Sequence, residues 1–167
     1  MKLAICPGSF DPITIGHLDI ISRSAKMFSK VIVVVAGNSS KHCSFTPEER
    51  VEMIKKSVAD IPNVEVDHFD GLLADYAASK NAKAIIKGLR AGSYFENEFQ
   101  MALINHKINP NLDTMFLASE HQYMYLSSST VKELGNYDVD LSDFLPQEII
   151  TDFKQRIAAI HQGGNRK

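Results

Sequence analysis

The chain has 167 residues, 44% hydrophobic and 23% charged, which is the size of one compact domain and the balance of a folded globule rather than a disordered chain, a collagen-like repeat or a coiled coil. Eighteen Lys+Arg against 20 Asp+Glu leave a net charge of −2, so there is no general electrostatic footprint for nucleic acid or an anionic membrane. The longest purely apolar run, at 31–36, is far short of the roughly 20 residues that cross a bilayer.

A strand is predicted over 3–6. It meets Pro7-Gly8 too soon to form the apolar stretch of a secretory signal, so a cytoplasmic location is expected. The following loop, PGSFDPITIGH, ends in His17 at the start of a helix whose Leu18, Ile21, Ala25 and Phe28 fall on one stripe. Helix starts carry unpaired N–H groups and partial positive charge, which suits a phosphate. Read alone, the loop is more simply a turn whose His decorates the first helical turn.

The next strand, 31–36, leads into Gly37 and the segment carrying Lys41, a cation on the strand's carboxyl side that by itself is also an ordinary solvated Lys. Thr46-Pro47-Glu48-Glu49 reads as a cap, a first-position Pro and a capping-box Glu, starting a helix that is expected to reach 60. A strand at 64–69 and a helix at 72–80 follow. The strand at 84–87 runs into Lys87-Gly88-Leu89-Arg90, two cations around a backbone-exposing Gly, which suits a polyphosphate or plain surface charge.

A helix at 95–109 and a strand at 114–118 precede Tyr123, Met124, Tyr125, Leu126, Ser127, Ser128 and Ser129, a run longer than a cap requires, with aromatics able to stack on a base. Helices at 129–135 and 146–161 complete the pattern, and 163–167 reads as a frayed tail. Five strands alternating with helices imply one α/β domain over 1–167, a doubly wound, five-stranded parallel sheet with helices on both faces and ligands at the strands' carboxyl ends. Four loops with anion-binding chemistry then share one edge. No GxxxxGK[ST] or GxGxxG occurs, and Cys6 and Cys43 have neither disulfide nor zinc spacing, so no metal site and two reduced thiols are expected.

The strings PGSFDPITIGH, SSK, FTPEER, IKGLRAGSYFENE and YLSSSTVKEL together resemble the bacterial phosphopantetheine adenylyltransferase family, over 3–146. Thr14 to His17 match the TxGH element of the wider nucleotidyltransferase superfamily; the GLR segment and triple serine narrow the match. The resemblance implies a Rossmann-like fold, adenylyl transfer from ATP to 4′-phosphopantetheine in coenzyme A synthesis, and dephospho-coenzyme A and pyrophosphate as products. It implies His17 as transition-state stabiliser with Lys41 and Arg90 assisting. It implies ATP contacts at Ser9, Phe10, His17, Gly88, Leu89, Arg90, Glu98 and 123–129, and acceptor contacts at Ser9, Lys41, Leu73 and Lys87. A homohexamer is implied by resemblance alone, and coenzyme A is a candidate inhibitor.

Cys6, Lys87 and Tyr123 stand where Tyr, Arg and Trp are frequent in that family. Lys for Arg keeps the charge and loses the bidentate fork, which bears on acceptor-phosphate binding. A phosphate monoester is already an anionic nucleophile, so the lack of a Ser, Cys or base dyad is no gap, and Mg²⁺ is expected to arrive on ATP. The rival readings are a sister enzyme acting on nicotinate mononucleotide or using CTP, and a non-catalytic nucleotide-binding module. A tRNA-charging enzyme is excluded by size and charge.

Overall fold

A computed structural model describes residues 2–37, 42–92 and 95–164, the last four of them as backbone only. Runs of β-branched residues become strands β1 (Leu3–Gly8), β2 (Lys30–Ala36), β3 (Val64–Phe69), β4 (Ala84–Leu89) and β5 (Asp113–Ala118). Between and after them lie α1 (Ile15–Met27), α2 (Pro47–Ser57), α3 (Leu73–Ser79), α4 (Phe95–Ile108), α5 (Ser128–Leu134) and α6 (Ile150–Gly164). All strand pairs are parallel and their order is β3-β2-β1-β4-β5.

Alternation along each strand feeds two apolar layers, because successive side chains leave opposite faces of a sheet. Ala4, Val31, Val33, Val35 and Ile86 pack on one face with Ile21 of α1, Ile54 of α2, Val131 of α5 and Phe153 of α6. Ile5, Ile32, Val34 and Ile85 pack on the other with Ala74, Tyr76 and Ala77 of α3 and with Leu112. The sheet is therefore covered on both faces, as the alternating pattern requires.

Strand order reverses between β1 and β4, and there the ladder is short. β1 pairs with β2 from Leu3↔Lys30 to Gly8↔Val35, but with β4 only at Ala4↔Ala84 and Ile5↔Ile85. Beyond Ile5 the two central strands part, which opens a cleft at their carboxyl ends, the expected ligand position at a topological switch point.

Several boundaries differ from the sequence expectation. β1 continues through Pro7 and Gly8 instead of ending at Cys6. Leu3 O accepts from Lys83 N on the β4 side, and the two-residue period turns the Pro7 nitrogen the same way, where β4 has already departed, so the missing N–H breaks no ladder bond. α2 ends at Ser57 rather than 60, since a turn closed by Ile61 N to Val58 O leads into β3. The last helix begins with a 3₁₀ turn at Gln147–Ile149 and runs to Gly164, while 165–167, the rest of the expected tail, lie outside the described residues. In α1 the predicted stripe of Leu18, Ile21, Ala25 and Phe28 does pack on the core, with Ile20 and Ser24 buried beside it.

Candidate functional site

Two adjoining cavities open at the split between β1 and β4. The smaller, about 180 Å³, is lined by Cys6, Ile20, Ile21, Ile86, Gly88, Tyr123 and Leu126 among others. The larger, about 890 Å³, is lined by Ser9, Gly37, Leu73, Met101, Ser127, Ser128, Ser129 and Lys132 among others. Phe10, His17, Lys87, Arg90 and Glu98 line both, so an imidazole, two cations and a carboxylate stand at the junction.

His17 is set by the start of α1. Thr14 is the N-cap: its Oγ1 accepts from His17 N at 3.3 Å, and its own amide donates to His17 Nδ1 at 3.1 Å, a capping box closed by an imidazole instead of a carboxylate. With Nδ1 accepting, the network assigns the proton of the neutral ring to Nε2, leaving that N–H as a donor. Burial, then the charges of Arg90 and Lys87, push the His17 pKa down to about 4, so the ring is neutral at physiological pH.

Phe10 packs edge-on against the His17 ring, centroids 5.2 Å apart, and adopts φ of 48°, a left-handed backbone unusual for an aromatic residue. A Cβ on Gly8 would lie 3.0 Å from the Phe10 ring, and one on Gly88 2.9 Å from Ile20 Cγ1. Glycine at these two positions keeps the cleft floor close to the backbone. Lys87 pairs with Glu98 of α4 at 3.1 Å, so a base of the cleft carries its counterion from the neighbouring helix. Cys6 donates its thiol proton to Ser24 Oγ, and burial pushes its pKa up to about 12, so it is a neutral wall residue.

Of the residues singled out in the sequence, Ser9, Phe10, His17, Leu73, Lys87, Gly88, Arg90, Glu98, Tyr123, Leu126, Ser127, Ser128 and Ser129 face one or both cavities. Leu89, Met124 and Tyr125 line neither, and Tyr125 is 79% exposed. Lys41 lies outside the described residues.

Sequence reasoning passed over Asp11, Arg50 and Lys132. Asp11 and Arg50 are buried charges, at 6% and 5% exposure, and Lys132 pairs with Asp11 at 2.7 Å. Arg50 Nη1 donates to Ser9 O at 2.8 Å and so holds the first loop from α2. The available signal was Asp11 as the one acidic residue within a Gly- and Pro-rich loop on the ligand edge.

Among the described residues no three His, Cys, Asp or Glu side chains gather to hold a metal ion. None of their helices is long and apolar enough to cross a membrane.

The chain matches the cytidylyltransferase-like family model over residues 5–134. A phosphopantetheine adenylyltransferase of Caldanaerobacter subterraneus subsp. tengcongensis is 56% identical over 146 residues, 87% of this chain and 91% of that protein. One of Clostridium botulinum (strain Eklund 17B / Type B) is 52% identical over 156 residues, 93% of this chain and 98% of the other. One of Lachnoclostridium phytofermentans is 51% identical over 150 residues, 90% and 92% of the two chains.

Proposed function

We propose, from the premise that this chain belongs to the cytidylyltransferase-like family and within it to the phosphopantetheine adenylyltransferases, that its cleft transfers the adenylyl group of ATP to 4′-phosphopantetheine. The products are dephospho-coenzyme A and pyrophosphate. The observation that carries the chemistry is the neutral His17 ring, its Nδ1 engaged by Thr14 and its Nε2–H free to donate, at the junction of two cavities with Lys87 and Arg90.

The smaller cavity, with Gly88, Tyr123 and Leu126, takes the nucleoside end of ATP, and the larger, with Leu73 and Met101, takes the pantetheine arm. Ser9, Lys87 and Lys41 hold the acceptor phosphate, with Lys87 exchanging Glu98 for phosphate. Phe10, Gly88, Arg90, Glu98, Tyr123, Leu126 and Ser127 to Ser129 hold ATP. The acceptor phosphate attacks the α-phosphorus in line: its oxygen forms the new P–O bond while the bond to pyrophosphate breaks. Negative charge grows on the α-phosphoryl oxygens and the leaving group, where a preorganised N–H donor and fixed cations act most strongly. Because the nucleophile is already an anion, no side chain has to remove a proton. The divalent cation enters as part of the substrate, Mg²⁺ on ATP, with its waters largely retained.

We further propose that the chain works as one nucleotidyltransferase domain in the cytoplasm and that coenzyme A competes for the cleft. A homohexamer is also proposed, supported by the exposed apolar side chains of α4, Phe95, Phe99, Leu103, Ile104 and Ile108.

The test is pyrophosphate release by the purified chain with ATP or CTP and a panel of acceptors, backed by ATP formation from dephospho-coenzyme A and pyrophosphate. Turnover is expected only with ATP and 4′-phosphopantetheine, and in reverse. Preference for CTP or for nicotinate mononucleotide would assign a sister reaction, and nucleotide binding without turnover would leave a binding module.

A further inference from the structure

One carboxylate at the cleft has no part in the transfer chemistry above, yet donors from two other parts of the chain converge on it. Asp11 Oδ1 accepts from the Phe45 amide at 2.9 Å, and Oδ2 accepts from the Ser44 amide at 3.0 Å and from Lys132 Nζ at 2.7 Å. A carboxylate this deeply buried is costly unless its charge and lone pairs are met, and one cation with two amides meets them.

Three walls of the larger cavity join at this carboxylate. Asp11 itself follows Ser9 and Phe10; the two amides end the segment that brings His42 and Cys43 to the cavity; Lys132 stands in α5 just after Ser128 and Ser129. Neighbouring bonds reinforce the junction, with Ser128 Oγ donating to Pro12 O at 2.7 Å and Arg156 Nε to Ser44 O at 2.9 Å. Lys132 lines the cavity, but Asp11 neutralises its charge.

We infer that Asp11, with Lys132, is a positioning pair that holds the segment at 42–45 against the serine wall of α5, so that the two phosphates brought to the cleft meet in line. Its kinetic consequence rests on the adenylyl-transfer reading; the tie itself does not. Neither residue touches the reacting atoms. In-line displacement depends steeply on alignment, and a misplacement of about 1 Å costs on the order of 10²-fold in rate. Loss of the tie therefore acts on turnover and leaves the nucleotide's own contacts in place. A lysine that instead bound a phosphate would act on nucleotide affinity.

The experiment compares the full-length wild type, Asp11→Asn, Lys132→Met, Lys132→Arg and the Asp11→Asn/Lys132→Met double variant. It reads amide exchange at Ser44 and Phe45, ATP affinity by calorimetry, and kcat and KM for transfer. Exchange is expected to rise in Asp11→Asn, and kcat to fall about 10²-fold in both Asp11→Asn and Lys132→Met with ATP affinity held within about threefold. The double variant is expected to be no worse than the weaker single, since both break one tie, and Lys132→Arg to recover most of kcat. Unchanged exchange in Asp11→Asn, multiplying kcat losses, or weaker ATP binding confined to Lys132→Met would each overturn the inference. If Asp11→Asn does not fold, the contrast of Lys132→Met with Lys132→Arg decides on the same criteria. An inactive wild type would sink the transfer reading, while amide exchange still judges the tie.

Discussion

His17 uses one ring nitrogen to hold the backbone and leaves the other for the chemistry proposed above, so the two roles can be separated by amide substitutions. His17→Asn keeps an acceptor near the Nδ1 position and loses reach toward Nε2. It is expected to retain a melting temperature close to wild type and ATP binding by calorimetry, with kcat reduced about 10²–10³-fold. A variant retaining more than about a tenth of wild-type kcat would reduce His17 to a helix cap. Because the folded pKa, about 4, lies below the ordinary 6.5, the unfolded chain takes the proton first as pH falls. The stability contributed by the neutral ring is complete above about pH 6.5 and is lost as pH drops through 4. Denaturant midpoints should therefore decline less steeply over that window in His17→Gln than in wild type. Lys87→Ala, in turn, is expected to raise the acceptor KM more than it weakens ATP binding, in initial-rate assays. Equal kinetics would remove Lys87 from the acceptor site.

At the scale of the element, α2 shows local chemistry written plainly in sequence. Thr46 Oγ1 accepts from Glu49 N at 3.2 Å and Glu49 Oε2 accepts from Thr46 N at 2.8 Å, the capping box that the residue order foretold. Thr46→Ala is expected to cost about 1 kcal/mol, measured by urea unfolding, and to lower the melting temperature by about 2–4 °C. No loss would mean that Pro47 and tertiary packing define this helix start unaided. The strands were legible for the same reason: Val, Ile and Phe runs bounded by Gly, Pro or Asp have few alternatives. Helix ends were less legible, because Ser57 and Ile150 are boundaries set by the turn into β3 and by a 3₁₀ turn, contacts that no periodicity encodes. The loops of the cleft were found by their place after strands, but Asp11 and Lys132 were not. Their partnership joins residues 121 positions apart, and each alone reads as ordinary charge.

At the scale of the whole molecule, α4 leaves Phe99, Leu103 and Ile108 exposed, and the oligomer proposed above would cover them. Leu103→Glu/Ile108→Glu is expected to lower the mass seen by light scattering from an assembly toward the 18.6 kDa of one chain, and a wild type already at that mass would end the oligomer proposal. The sheet carries a mechanical consequence of its own. β3-β2-β1 and β4-β5 form two half-sheets joined through two paired positions, and the cleft begins where that seam runs out. On the function proposed above, a nucleotide held at Phe10 and Gly88 would touch both halves and bridge the seam that the polypeptide leaves unpaired. Substrate would thus also be a structural member, loaded across the seam while the reaction runs and withdrawn each time product leaves.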